Sequence, residues 1–93
     1  MKHATPAALD RLETLLRQLR KIPGLVEKSR GVFYRGGHAF LHFHEDGKAF
    51  FADIRLAEDF ERFPATTRAE QAVLLRKLGA IATAPKKNAN RTG

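Results

Sequence analysis

The stretch that decides the fold runs from Gly31 to Ile54 and reads GVFYRGGHAFLHFHEDGKAFFADI. Two dipeptides interrupt it, Gly36-Gly37 and Asp46-Gly47. Both tolerate the positive φ that a two-residue hairpin turn requires. The stretch therefore predicts three short antiparallel strands that follow one another as a meander.

Alternation along these strands sorts the side chains onto two faces. The apolar face, predicted to be the core side, carries Val32, Tyr34, Ala39, Leu41, Phe43, Phe50, Ala52 and Ile54. The opposite face carries Phe33, Arg35, His38, Phe40, His42, His44, Phe51 and Asp53. Tight turns at both dipeptides predict the cross-strand pairs Arg35 with His38, Phe33 with Phe40, His42 with Phe51, and Phe40 with Asp53. We interpret the second face, together with Arg55, as the surface that binds a ligand.

Amphipathic helices flank the meander on both sides. Thr5 followed by Pro6 is typical of a helix start, and leucines then recur at helical spacing. The second helix is predicted to begin at Thr67, which forms a Thr-x-x-Glu capping box with Glu70, and to end before Pro85. Two helices with matching apolar stripes can cover one face of the meander.

The predicted fold is therefore α+β, a two-layer sandwich in which a three-strand antiparallel meander carries both helices on one face. The short segment 25–28 is a candidate fourth strand at the edge, and 55–66 is expected to be an irregular connection with one helical turn. The core is expected to join Leu41, Phe43, Phe50 and Ile54 to Leu12, Leu16, Leu74 and Leu78. We expect residues 1–84 to form a single domain and the basic tail 85–93 to be disordered.

Composition narrows the class of protein. The chain of 93 residues contains no cysteine, which excludes disulfides and thiolate metal sites. No apolar segment has the length of a signal peptide or a membrane span, so we expect a cytoplasmic protein without a membrane partner. The formal net charge is +7, and the positive charge lies on the helices and the tail. A nucleic acid partner and an ordinary solvated helix surface both remain open as explanations.

The first constellation that can carry chemistry consists of His42, His44 and Asp53. Residues two apart on a strand share a face, and the predicted register makes Asp53 a diagonal neighbour of His42 at roughly 7 to 8 Å. Two imidazoles and a carboxylate are a ligand set for a divalent metal. The alternative is that the histidines stack on Phe40 and Phe51 and bond to Asp53. No other cofactor is expected.

The second constellation is His38 beside Arg35. A histidine at the mouth of a glycine turn can act as a general base on a ribose 2′-hydroxyl while an arginine holds the phosphate. The Gly37-His38 pair, at the start of the second strand between two helices, resembles the HicA-type mRNA interferase toxins. That resemblance implies a double-stranded-RNA-binding-like fold and a catalytic His38. The family's serine is replaced by Gly37.

A second resemblance covers residues 22–56. The segments IPGL at 22–25, AFLHFH at 39–44, DG at 46–47 and ADIRL at 52–56 look like the small bacterial luciferase-like domain family of unknown function. The family implies no light emission and supplies no established catalytic residues. It makes His42, His44, Asp53 and Arg55 the positions of interest.

The aromatic patch formed by Phe33, Phe40 and Phe51 completes the analysis. Soluble monomers rarely expose such a patch, so it favours burial by a second copy of the chain or by the 55–66 connection. Stacking of nucleic acid bases and binding of a small ligand are the alternatives. We interpret the chain as a non-catalytic binding or self-association module rather than an enzyme. RNA binding or cleavage through His38 and divalent-metal binding are the alternative functions.

Overall fold

Six antiparallel strands and three helices make up the part of the chain that the computed structural model describes, residues 1–83. The strands are β1 (Lys2–His3), β2 (Leu25–Ser29), β3 (Val32–Arg35), β4 (His38–Asp46), β5 (Ala49–Arg55) and β6 (Phe60–Pro64). The helices are α1 (Pro6–Arg11), α2 (Glu13–Leu19) and α3 (Arg68–Thr83). The α+β class is confirmed, and β2 is the predicted fourth strand. The tail predicted for 85–93 lies outside the described residues.

The sheet has the order β2-β3-β4-β5-β6, and β1 pairs with β4 outside this path. The strand β5 occupies one edge of β4 from Leu41 to Asp46, so β1 takes the other edge, beyond the last residue that pairs with β3. There Lys2 lies opposite Glu45 and His3 opposite His44. A two-residue strand thus reaches the middle of the sheet.

The two predicted turns differ in detail. At the first turn Gly36 and Gly37 have φ of +59° and +81°, as a type I′ turn requires. The second turn consists of Gly47, with φ of +63°, and Lys48, so that Asp46 still belongs to β4. Relative to the predicted register, each residue of β4 lies opposite a residue of β5 two positions further along the chain. A shift of two positions preserves alternation, so every side chain from Leu41 to Ile54 keeps its predicted face.

The displacement changes the partners across β4 and β5. The structure pairs His42 with Asp53 and His44 with Phe51. The predicted pairs of His42 with Phe51 and of Phe40 with Asp53 are therefore wrong. The carboxylate of Asp53 becomes a direct neighbour of His42 rather than a diagonal one.

A β-bulge at Phe40 makes the register of the first hairpin differ from the predicted one. Arg35 lies opposite His38 as predicted, but Phe33 lies opposite Leu41 because β4 accommodates Phe40 as an extra residue. The bulge brings both aromatic rings into the core, where Phe33 is 0% and Phe40 6% exposed. The prediction that these two phenylalanines lie on the open face of the sheet is wrong.

The core lies between the helices and one face of the sheet. Its buried apolar side chains are Ala8, Leu9, Leu12, Leu15, Leu16, Leu19, Phe33, Phe40, Leu41, Phe43, Phe50, Ala52, Ile54, Ala65, Leu74 and Leu78. The eight residues expected to join the two layers belong to this set, whereas Val32, Tyr34 and Ala39, predicted for the same face of the sheet, do not. The predicted sandwich, with the helices on one face, is confirmed.

Local signals explain the helix ends. The Thr5 hydroxyl accepts a hydrogen bond from the Ala8 amide at 3.3 Å. At α3, Glu70 Oε1 accepts from the Thr67 amide at 3.0 Å, and the Thr67 hydroxyl accepts from the Glu70 amide at 3.1 Å, which is the predicted capping box.

The connection predicted as irregular contains β6, and that prediction is wrong. Its alternation brings Phe63 toward the core and Arg62 to the opposite face. Pro64 is tolerated because β6 is an edge strand of the sheet. Within residues 1–83, none of the helices combines the length and apolar character needed to cross a membrane.

Candidate functional site

The face of the sheet opposite the helices gathers polar side chains from four strands. Pairing places His3 opposite His44, and Asp53 opposite both His42 and Arg62. Residues that lie opposite each other in antiparallel strands share a face of the sheet. These five side chains therefore form one cluster, which we call the histidine face.

Three imidazoles converge at the centre of the histidine face. His3, His42 and His44 each offer one ring nitrogen, and these nitrogens lie within 4.8 Å of one another. The ring of His3 stacks on that of His44 with centroids 4.6 Å apart, and the centroids of His42 and His44 are 4.8 Å apart. The sequence pattern identified His42 and His44 but missed His3, because a two-residue strand has too few positions to show alternation.

Asp53 lies beside two of the three imidazoles. Its Oδ2 atom is 3.7 Å from His42 Nε2 and 3.2 Å from His44 Nε2. Arg62 donates two hydrogen bonds to the same carboxylate, one from Nε to Oδ1 and one from Nη2 to Oδ2, each at 2.8 Å. The hydrogen bonds from Arg62 hold the pKa of Asp53 below its usual value, so the carboxylate is charged at neutral pH. The residues of the predicted metal set do lie together, but Asp53 is already bonded through both oxygens.

The imidazoles of His42 and His44 are neutral at neutral pH. Burial lowers the pKa of both rings, and the negative charge of Asp53 only partly opposes this effect. Both ring nitrogens of His44 are buried, and neither makes a hydrogen bond of good geometry within the described part of the chain. Buried polar atoms without partners are exceptional in folded proteins and call for a ligand or another explanation. A neutral ring nitrogen is also the form that binds a metal ion.

Aromatic rings border the histidine face. Phe60 contacts His42 edge to face with centroids 5.0 Å apart, and the guanidinium of Arg55 lies 5.1 Å from the centre of the same Phe60 ring. Phe51, predicted for this face, lies opposite His44 and is half-buried. These contacts limit the rotation of the His42 ring.

The other residues predicted for the site lie away from the cluster of His3, His42 and His44. Arg35 and His38 are exposed, lie opposite each other in the first hairpin, and line a hollow of about 310 Å³ together with Arg55. Because Phe33 and Phe40 belong to the core, the patch of three exposed phenylalanines does not exist. The prediction of a homodimer loses the observation on which it rested.

No protein-family model, curated protein or solved structure matches this chain. The resemblances to luciferase-like domains and to HicA-type interferases therefore stay predictions. The function has to be inferred from the chemistry of the described residues.

Proposed function

We propose that this protein binds a divalent transition-metal ion through the imidazoles of His3, His42 and His44. The observation that carries the proposal is the approach of three ring nitrogens to within 4.8 Å of one another. Nitrogens bound to a common zinc ion lie about 3.4 Å apart, given a metal–nitrogen bond of about 2.0 to 2.1 Å. The rings would therefore have to approach one another by at most about 1.4 Å for all three nitrogens to bind one ion.

The chemistry of the cluster selects the class of ion. Three imidazoles suit zinc, copper, nickel and cobalt, whereas magnesium and calcium prefer oxygen ligands. The lowered pKa of His42 and His44 means that these two rings bind without first releasing a proton at neutral pH. The exposure of His3 leaves a coordination position open to water on the solvent side.

Asp53, which lies beside the imidazoles of His42 and His44, supports the same conclusion. A carboxylate beside the ligating rings fixes their orientation and adds negative charge that stabilises a bound cation. Arg62 in turn holds this carboxylate in place through two hydrogen bonds of 2.8 Å. RNA cleavage by His38 and self-association through the sheet remain alternative predictions, and neither has a comparable cluster of groups in its favour.

Cobalt(II) titration tests the proposal, because its visible absorption reports both binding and coordination geometry. We expect saturable binding at one ion per chain, perturbation of three histidine rings in nuclear magnetic resonance spectra, and displacement of cobalt by zinc. His44→Gln should weaken binding at least about tenfold through loss of a ligand. His38→Gln is the matched control, since the fourth histidine lies outside the cluster, and it should bind as the wild type does.

Two results would contradict the proposal. One is a melting temperature and a set of histidine signals that do not change with an excess of zinc, nickel or cobalt. The other is binding that His38→Gln and His44→Gln weaken equally, which indicates unspecific association with surface imidazoles.

A further inference from the structure

A second group of charged side chains surrounds a cleft at the end of the sheet where β4 begins and β5 ends. Its cations are Arg35, Arg55 and Lys77, the last of which comes from α3. Within residues 1–83, none of the three has a carboxylate within ion-pair distance. The paired arginines elsewhere in the described chain are Arg17, Arg20, Arg30 and Arg62.

The cleft has room for a small molecule. It consists of two adjoining hollows of about 330 and 310 Å³, each at the lower end of the range for ligand sites. The walls that both hollows share are Arg35, Phe40, Arg55 and Leu56. Lys77 and Ile81 complete the first hollow. Among the described residues that line the hollows there is no carboxylate, so nothing among them neutralises the positive charge.

Aromatic rings restrain all three cations. Arg35 lies over Phe40, a wall of the cleft, at 5.6 Å from the ring centre. Arg55 lies over Phe60 at 5.1 Å and Lys77 over Phe63 at 5.5 Å, two rings that do not line the hollows. The Nε atom of Arg55 is buried and has no hydrogen-bond acceptor among residues 1–83. An unsatisfied buried donor costs free energy that an anionic ligand can recover, and preorganised donors bind with less loss of entropy.

We propose that this cationic cleft binds a small organic phosphate, a phosphomonoester with an apolar substituent. Two guanidiniums and an ammonium match the two charges and three oxygens of the phosphate head, whereas a carboxylate offers one charge and two oxygens. The apolar part of the ligand packs against Phe40, Leu56 and Ile81. The site adjoins the histidine face through Arg55, whose guanidinium lies over the Phe60 ring beside His42, but it includes none of the three clustered imidazoles and does not depend on the proposed metal.

Phenyl phosphate is the probe that tests this site. Its titration should shift the Arg35 and Arg55 Nε–H signals in nitrogen-15 spectra, and calorimetry should show one site per chain. Arg55→Gln should weaken binding about tenfold, the usual effect of losing a charge-assisted hydrogen bond. Arg35→Gln, at the more exposed of the two arginines, should have an effect of the same size. Arg76→Gln is the matched control, since Arg76 is exposed on α3 and lines neither hollow. Inorganic phosphate should compete but bind more weakly, and benzoate should bind more weakly than phenyl phosphate.

Several outcomes would overturn the proposal. Absence of saturable binding of phenyl phosphate at millimolar concentration is one. Binding that Arg35→Gln and Arg55→Gln leave unchanged, in proteins whose amide spectra show an intact fold, is another. A short RNA that binds at Arg35 and Arg55 without competition from phenyl phosphate would assign the cleft to a polyanion instead.

Discussion

At Gly31 the backbone has φ of +80°, and a Cβ atom built there would lie 2.7 Å from Leu9 Cδ2 in the core. Gly24 shares the positive φ, at +89°, but its Cβ would meet nothing within 4 Å. We expect Gly24→Ala to lower the free energy of unfolding by about 1 to 2 kcal/mol through backbone strain alone. Gly31→Ala should cost about 1 kcal/mol or more in addition, because Leu9 must move in a packed core.

Urea denaturation of both variants measures the two effects, and Gly79→Ala provides a control of opposite sign. Gly79 lies inside α3, where a Cβ meets nothing within 4 Å, so alanine should stabilise the helix by about 0.5 to 1 kcal/mol. Equal destabilisation by Gly31→Ala and Gly24→Ala would show that contact with Leu9 adds nothing.

Single residues also explain which parts of the site were predicted correctly from the sequence and which were not. His42, His44 and Asp53 were correctly assigned to one face, because alternation along a strand survives a displacement of register by two positions. Phe33 and Phe40 were not, since the extra residue at Phe40 reverses the faces of β3 relative to the rest of β4. A pair of glycines in the sequence predicts a turn, whereas no residue pattern in the sequence predicts the bulge at Phe40.

At the scale of elements, the short strand β1 brings the third histidine into the site. The Ala4 amide donates to the Phe43 carbonyl at 3.1 Å, and the Glu45 carboxylate accepts from the Thr5 amide at 2.7 Å and the Thr5 hydroxyl at 2.8 Å. Glu45 therefore fixes the junction between β1 and α1. These bonds lower the pKa of Glu45, so their stabilisation is present above the ordinary carboxyl pKa and is lost as the pH falls through the lowered value.

Glu45→Gln tests this anchoring. At pH 6 the variant should melt at a lower temperature than the wild type, and its Ala4 amide should exchange with solvent faster than amides in the middle of β4 and β5. As the pH falls through the lowered pKa of Glu45, the difference in melting temperature should shrink. Glu61→Gln on β6 is the control. A difference that stays constant throughout an acid titration would show that the charge of Glu45 is not what holds β1.

The same length limit explains why β1 and β6 escaped prediction while the helices did not. The capping box of Thr67 and Glu70 and the Thr5-Pro6 start are local chemistry, and they appear in the structure at the predicted positions. Strands of two and five residues gain their stability from pairing, β1 with β4, which is remote in the sequence, and β6 with the neighbouring β5. Propensity over so few residues cannot outweigh that tertiary contribution.

For the whole molecule, the sandwich depends on its apolar core, and a network of charges adds a second connection between helix and sheet. Glu13 of α2 bonds to Arg20 at 2.8 Å and to Arg30, in the turn between β2 and β3, at 2.9 Å. Arg20 also bonds to Glu27 of β2. The hydrogen bonds from Arg20, and next those from Arg30, lower the pKa of Glu13 from 4.5 to about 2. The carboxylate thus stays charged in acid that protonates ordinary glutamates.

Glu13→Gln shows how much this network contributes. Because the pKa is lowered in the folded state, the contribution is complete above about pH 5 and is lost as the pH falls from there toward 2. We expect the variant to melt a few degrees below the wild type at pH 7, with a smaller difference in concentrated salt, since the charges are exposed enough to be screened. Glu58→Gln, in the loop before β6, should change little at any pH. If Glu13→Gln and the wild type melt together at pH 7 and low salt, the core alone joins the two layers.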